Sequence, residues 1–183
     1  MSKTLVNLLD YSLLPAAVLI LSKFLGILIT IRIFNIAWSL RDYSTSVFAV
    51  STVLRAEDVI TVTAYSDLFM YIVVAFFFSI AVFRTIYLHN THPSEMVILS
   101  LAKFNLLNLI KDSYTVYGMA GGWWIFMVLS NFLIWINIIA EKSYSWIGII
   151  TTAATLFLSL VLFIDVYREI SLVRKHPSKY QWH

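Results

Sequence analysis

Two long apolar runs with only a short polar break between them constrain this chain more than any other feature. GGWWIFMVLSNFLIWINIIA occupies 121–140, EKSYS follows, and WIGIITTAATLFLSLVLFI fills 146–164 before Asp165. A run of roughly 20 apolar residues is what a helix needs to cross ~30 Å of hydrocarbon. In hydrocarbon the backbone must satisfy its own hydrogen bonds, and a helix does so within one segment. The break admits nothing larger than a tight turn, so the two spans lie antiparallel and side by side. The chain is therefore expected to be an integral membrane protein.

Composition agrees and narrows the chemistry. Of 183 residues, 60% are hydrophobic and 13% charged, which fits one transmembrane domain over 1–183. The absence of Cys excludes disulfides, thiol redox chemistry, Fe–S clusters and thiolate metal sites. Lys3 precedes an apolar run with no small-residue cleavage site after it, so a retained helix is expected rather than a signal peptide.

Four spans are expected, at about 11–36, 66–88, 121–141 and 145–166. The first is unusual because Lys23 and Arg32 interrupt it. Counted from Tyr11, Lys23 lies ~18 Å in, near mid-membrane, and Arg32 reaches the far interface at ~31 Å. Ala16, Ser22, Gly26 and Thr30, its helical neighbours, are small enough to let another helix approach Lys23. Pro15 is expected to kink the start of this span.

Residues 43–66 are polar and rich in β-branched side chains, STSVFAVSTVL and VITVTAYS around RAED, which predicts a small β-hairpin in an outer loop 41–66. Asp42, Glu57, Asp58 and Asp67 make that region acidic. Thr91 and Pro93 suit the start of a helix over 94–112. Its Ser100, Asn105, Asn108, Lys111 and Asp112 gather on one side and its leucines on the other, as in a helix lying in the membrane interface. The tail 167–183 is basic. Lys3, Arg84, Lys103, Lys111, Arg168, Arg174, Lys175 and Lys179 fall on one side of this arrangement, against Arg41, Arg55 and Lys142 on the other. The positive-inside rule then places both termini in the cytoplasm. The expected fold class is an all-α membrane protein: four transmembrane helices, an interfacial amphipathic helix and a small extracytoplasmic β-rich loop.

Little in the sequence points to catalysis. His89, His92, His176 and His183 all lie outside the expected spans, so no intramembrane haem ligand is at hand. His89 and His92 have only Glu95 as a nearby third ligand and are read as interfacial polar residues rather than a metal site. No G-x-S-x-G, no H-E-x-x-H and no paired intramembrane carboxylates are present. The expected span interiors hold no Asp or Glu, which argues against a proton relay.

Lys23 and Arg32 are the candidate partner- or ion-binding residues. A basic side chain within a span costs ~2.5–3.5 kcal/mol on insertion scales and calls for a reason. Arg32 can snorkel to headgroup phosphates. Lys23 lies too deep to do so easily, and with no carboxylate expected at its depth its partner is sought in a carbonyl, a lipid or another protein. A second set concerns helix packing. Gly148, Thr151, Thr152, Thr155 and Ser159 fall in one narrow arc of the last span, and Ser130 and Asn137 form a polar line on the third. The two lines are expected to face each other across the hairpin.

These observations favour a non-enzymatic, accessory subunit of a larger membrane complex, for example a bacterial secretion, conjugation or energy-transducing machine. The expected setting is the bacterial inner (cell) membrane, with other membrane subunits and lipids as partners, no nucleic acid, and no cofactor or metal. The rival is a small channel or transporter subunit whose anion path is lined by Lys23 and Arg32.

Overall fold

The computed structural model of the chain describes residues 3–36, 56–88, 103 and 113–175. Those residues form four long helices: α1 (Lys3–Ile33), α2 (Ala56–Tyr87), α3 (Ser113–Ile139) and α4 (Ser145–Lys175). Each contains a stretch long and apolar enough to span a membrane, at Tyr11–Ile33, Asp58–Tyr87, Thr115–Ile139 and Ser145–Ser171. The protein is thus a multi-pass helical membrane protein.

The helices pack as a lozenge. α2 and α3 touch along its short diagonal, both touch α1 and both touch α4, while α1 and α4 make no contact with each other among the described residues. The core follows from one stripe of α2. Val62, Ser66, Met70, Val74, Phe78 and Thr85 recur at steps of four and seven residues, with Asp67 beside Ser66, and all are buried, the spacing of one helical face. Met127 and Ile134 of α3 and Ile147 of α4 join the same core, and Leu19 of α1 reaches it from the opposite side. The outward faces remain apolar, as in Phe76, Phe83, Phe132, Leu156 and Phe157, because their solvent is lipid.

Close approach is set by glycines. A Cβ on Gly26 would stand 2.9 Å from the Ser66 carbonyl oxygen, so α1 and α2 cross backbone to backbone there. A Cβ on Gly122 would stand 2.8 Å from the Tyr11 carbonyl oxygen, and one on Gly118 would meet the Tyr11 ring at 2.8 Å. The Tyr11 carbonyl is the one that Pro15, lacking an N–H, cannot bond within the helix. Glycine at 122 leaves that orphaned oxygen room against α3, where a Cα–H can face it. α1 continues through Pro15 to Ile33.

Two helices end in the same way. Asn35 and Glu141 both have positive φ, at 50° and 57°. Ile36 N–H bonds the Ile31 carbonyl, and Lys142 N–H bonds the Asn137 carbonyl. A left-handed residue with a bond reaching five residues back is the Schellman termination. Ile36 also packs against the cluster of Ile27, Ile31 and Val62, in keeping with the apolar contact that accompanies this motif. The first span thus stops at Ile33 rather than 36, and the third at Ile139 rather than 141.

The expected β-hairpin over 43–66 is corrected in its second half. Residues 56–66 open α2 as helix, and Val62, Ala64 and Ser66 are buried in it. The β-branched run Val59–Ile60–Thr61–Val62–Thr63 suggests strand in water, where β-propensity records packing on a half-buried sheet. At a membrane boundary the backbone instead favours the conformation that satisfies itself. The remainder of the outer loop, the interfacial helix 94–112 apart from Lys103, which is helical and exposed, and the tail beyond 175 lie outside the described residues.

Candidate functional site

One turn of α2 presents Thr63, Ser66 and Asp67 on the face that meets α1, at the spacing that puts side chains side by side. Lys23 reaches this turn from α1. Its Nζ pairs with Asp67 Oδ1, donates to Ser66 Oγ at 2.8 Å and approaches the Thr63 carbonyl at 3.5 Å. Ser66 Oγ in turn donates to the Thr63 carbonyl at 3.0 Å. From α3, Asn137 Nδ2 donates to Asp67 Oδ2 at 2.7 Å. The ammonium thus has a partner for each of its three N–H groups, and both carboxylate oxygens are engaged. The side chains are 13% and 2% exposed, so this is a buried ion pair rather than a surface one.

The pair corrects two expectations. Asp67 lies well inside α2 rather than at the outer edge of its span, since the helix starts eleven residues earlier, at Ala56. Lys23 accordingly has a carboxylate at matching depth within its own chain. The helical stripe Val62–Ser66–Asp67–Met70 was the signal available for finding it, and the β-branched run masked it.

The two basic residues singled out together are separated by the fold. Nine positions on one helix are roughly two and a half turns, so Lys23 and Arg32 lie on opposite sides of α1. Lys23 is buried in the bundle and Arg32 is exposed beside a recess lined by Leu28, Ile31, Asn35 and Ile36.

The packing residues are also redistributed. Gly148 faces α3, where a Cβ would meet Ile138 Cδ1 at 2.5 Å and the Trp135 indole at 3.2 Å. Thr151 Oγ1 donates to Asn131 Oδ1 at 2.8 Å, Asn131 Nδ2 donates to Thr152 Oγ1 at 3.2 Å, and Trp135 Nε1 donates to Thr152 Oγ1 at 2.8 Å. Trp124 Nε1 donates to Ser159 Oγ at 2.8 Å. Thr155 instead meets α2, its hydroxyl 2.8 Å from Tyr71 Oη. The expected partner line of Ser130 and Asn137 does not supply these contacts. Ser130 bonds the Met127 carbonyl of its own helix, and Asn137 turns to Asp67 on α2. Asn131, one step around the helix from Ser130, is the residue that α4 uses. Which side of α3 faces α4 depends on a lozenge arrangement that periodicity alone cannot distinguish from a square one.

Near the opposite end of the bundle Tyr117 Oη donates to Asp165 Oδ2 at 2.9 Å, fastening α3 to α4. Among the described residues no group of three or more His, Asp or Glu side chains is placed to hold a metal ion.

Fold and site together define the class: a four-span helical membrane protein with an intramembrane Lys–Asp–Asn tie joining three of its helices. No family model, no curated protein and no solved structure matches the chain.

Proposed function

We propose that this protein is a non-catalytic subunit of a larger membrane assembly, of the kind found in bacterial inner-membrane secretion, conjugation or energy-transducing machines. Closure of the Lys23 charge inside the chain removes the need for an outside partner at that lysine, and what supports this reading is the rigidity that the closure gives the bundle. An ammonium with all its donors used by Asp67, Ser66 and Thr63 is a brace, and the Asn137 bond extends it to α3. A braced bundle offers a partner fixed outer faces. Those of α2 and α4 are broad and apolar, with Ile72, Phe76, Ile80 and Phe83 on one and Ile149, Leu156, Phe163 and Ile170 on the other.

The rival reading, an anion path lined by Lys23 and Arg32, draws less support from the geometry. A lysine neutralised by an adjacent carboxylate projects little positive field, and Arg32 stands on the far side of α1. Extraction from the native membrane in a mild detergent, followed by identification of stable partners, tests the proposal directly. Recovery of the chain alone under conditions that preserve known complexes, together with chloride flux from liposomes containing only this protein, would favour the channel instead.

A further inference from the structure

The membrane-boundary end of α1 carries a cation beside a recess. Arg32 is exposed in the last helical turn, ~31 Å beyond Tyr11 along the axis. The recess of about 290 Å³ is lined by Leu28, Ile31, Arg32, Asn35 and Ile36. Small-molecule clefts run from roughly 300 Å³ upward, so this one has room for a headgroup and the first methylenes behind it, not a whole lipid. Phe34, Tyr65 and Tyr144 cluster at the same end, with ring centroids 5.1 and 6.5 Å apart in succession. Aromatic side chains with polar tips collect at headgroup level.

Charge and shape select one occupant. Lys23–Asp67 is an ion pair internal to the bundle, and among the described residues neither Asp58 nor Glu141 at this end pairs with Arg32. A guanidinium presents parallel N–H donors that match phosphate oxygens, and the Asn35 amide lies in the same lining. From Arg32 an apolar stripe runs back along α1 through Leu28, Leu25 and Leu21, of which Leu25 and Leu21 are half or more exposed. That spacing keeps them on one helical face. We propose that the recess holds the phosphodiester of a glycerophospholipid, with Arg32 on the phosphate and an acyl chain along Leu28, Leu25 and Leu21. This does not depend on the proposed subunit role, since lipid retention is measured on the isolated chain.

Native mass spectrometry of the purified full chain tests it. The probes are dioleoylphosphatidylglycerol, dioleoylglycerol with the same acyl chains and no phosphate, and inorganic phosphate. Wild-type protein should retain the phospholipid and neither of the other two. Arg32→Gln should weaken retention by about tenfold, as loss of a charge-assisted pair predicts, and Arg32→Lys should fall between. Arg168→Gln, at an exposed arginine on α4, should behave as wild type. Equal retention by Arg32→Gln and wild type would overturn the assignment. So would equal retention of dioleoylglycerol, which would reduce the site to acyl packing, or binding of inorganic phosphate as tight as that of the lipid.

Discussion

Lys23 Nζ and Asp67 Oδ1 are paired across the α1–α2 contact, and Asn137 holds the other oxygen of the same carboxylate from α3 at 2.7 Å. The three residues come from three helices that the sequence separates by loops, and the crossing at Gly26 and Ser66 brings the first two within reach. A buried pair of this kind is asymmetric in its energetics. The intact pair adds little over a well-packed apolar pair, whereas removing one partner leaves an uncompensated charge in low dielectric.

Lys23→Met should therefore destabilise the bundle by about 3–5 kcal/mol, and Asp67→Leu by a similar amount. The double variant Lys23→Met/Asp67→Leu should recover most of that loss, because no charge is left stranded. Unfolding in mixed micelles by denaturing detergent reads all three. Strictly additive losses in the double variant would show that the two side chains do not interact.

Glycine replacements should separate by what the new methyl meets. Gly26→Ala and Gly122→Ala place it within 3 Å of a backbone oxygen on the facing helix, which cannot rotate away. Both should lower the melting temperature in detergent. Gly148→Ala meets the flexible end of Ile138 first and should be milder, while Gly148→Leu should part α3 from α4 against the Trp135 ring. Gly121→Ala enters open space and should be neutral or stabilising by up to about 1 kcal/mol, the helix-propensity difference. A Gly122→Ala variant as stable as Gly121→Ala would falsify the close α1–α3 approach at Tyr11.

Glu141 occupies a left-handed conformation at the end of α3, where a side chain costs roughly 1–2 kcal/mol relative to glycine. Glu141→Gly should raise stability by about 1 kcal/mol and leave the turn unchanged, since the Lys142 N–H to Asn137 carbonyl bond is retained. Asn35→Gly should gain less, because asparagine already tolerates this region. A loss of stability in Glu141→Gly would mean that the carboxylate has a role at the turn beyond its backbone.

The chain lacks Cys, so single cysteines can report orientation. Lys142→Cys in the α3–α4 turn and Arg168→Cys near the far end of α4 should label from opposite sides of the membrane. With both termini cytoplasmic, as the distribution of basic residues suggests, impermeant reagent applied outside should reach position 142 and not 168. The reverse pattern would invert the topology, and labelling of both in sealed cells would break the four-span arrangement.

Membrane residence, the number of spans and the tight α3–α4 hairpin were all legible in the sequence, because they follow from the length of apolar runs and of the break between them. So was the need for something to accommodate Lys23, since a charge in hydrocarbon cannot be left alone. The identity of its partner was decided only in three dimensions. Asp67 reads as the edge of a span while 56–66 reads as strand, and becomes interior only when α2 is seen to begin at Ala56 and to turn its Thr63–Ser66–Asp67 face toward α1. Helix packing divides the same way. The small-residue arc of α4 is a local, periodic property and was visible as such. That Asn131 rather than Ser130 or Asn137 answers it, and that Thr155 turns to Tyr71 on α2, depends on which helices are neighbours and at what rotation. Those are set by summed contacts across all four helices, and no single segment carries them.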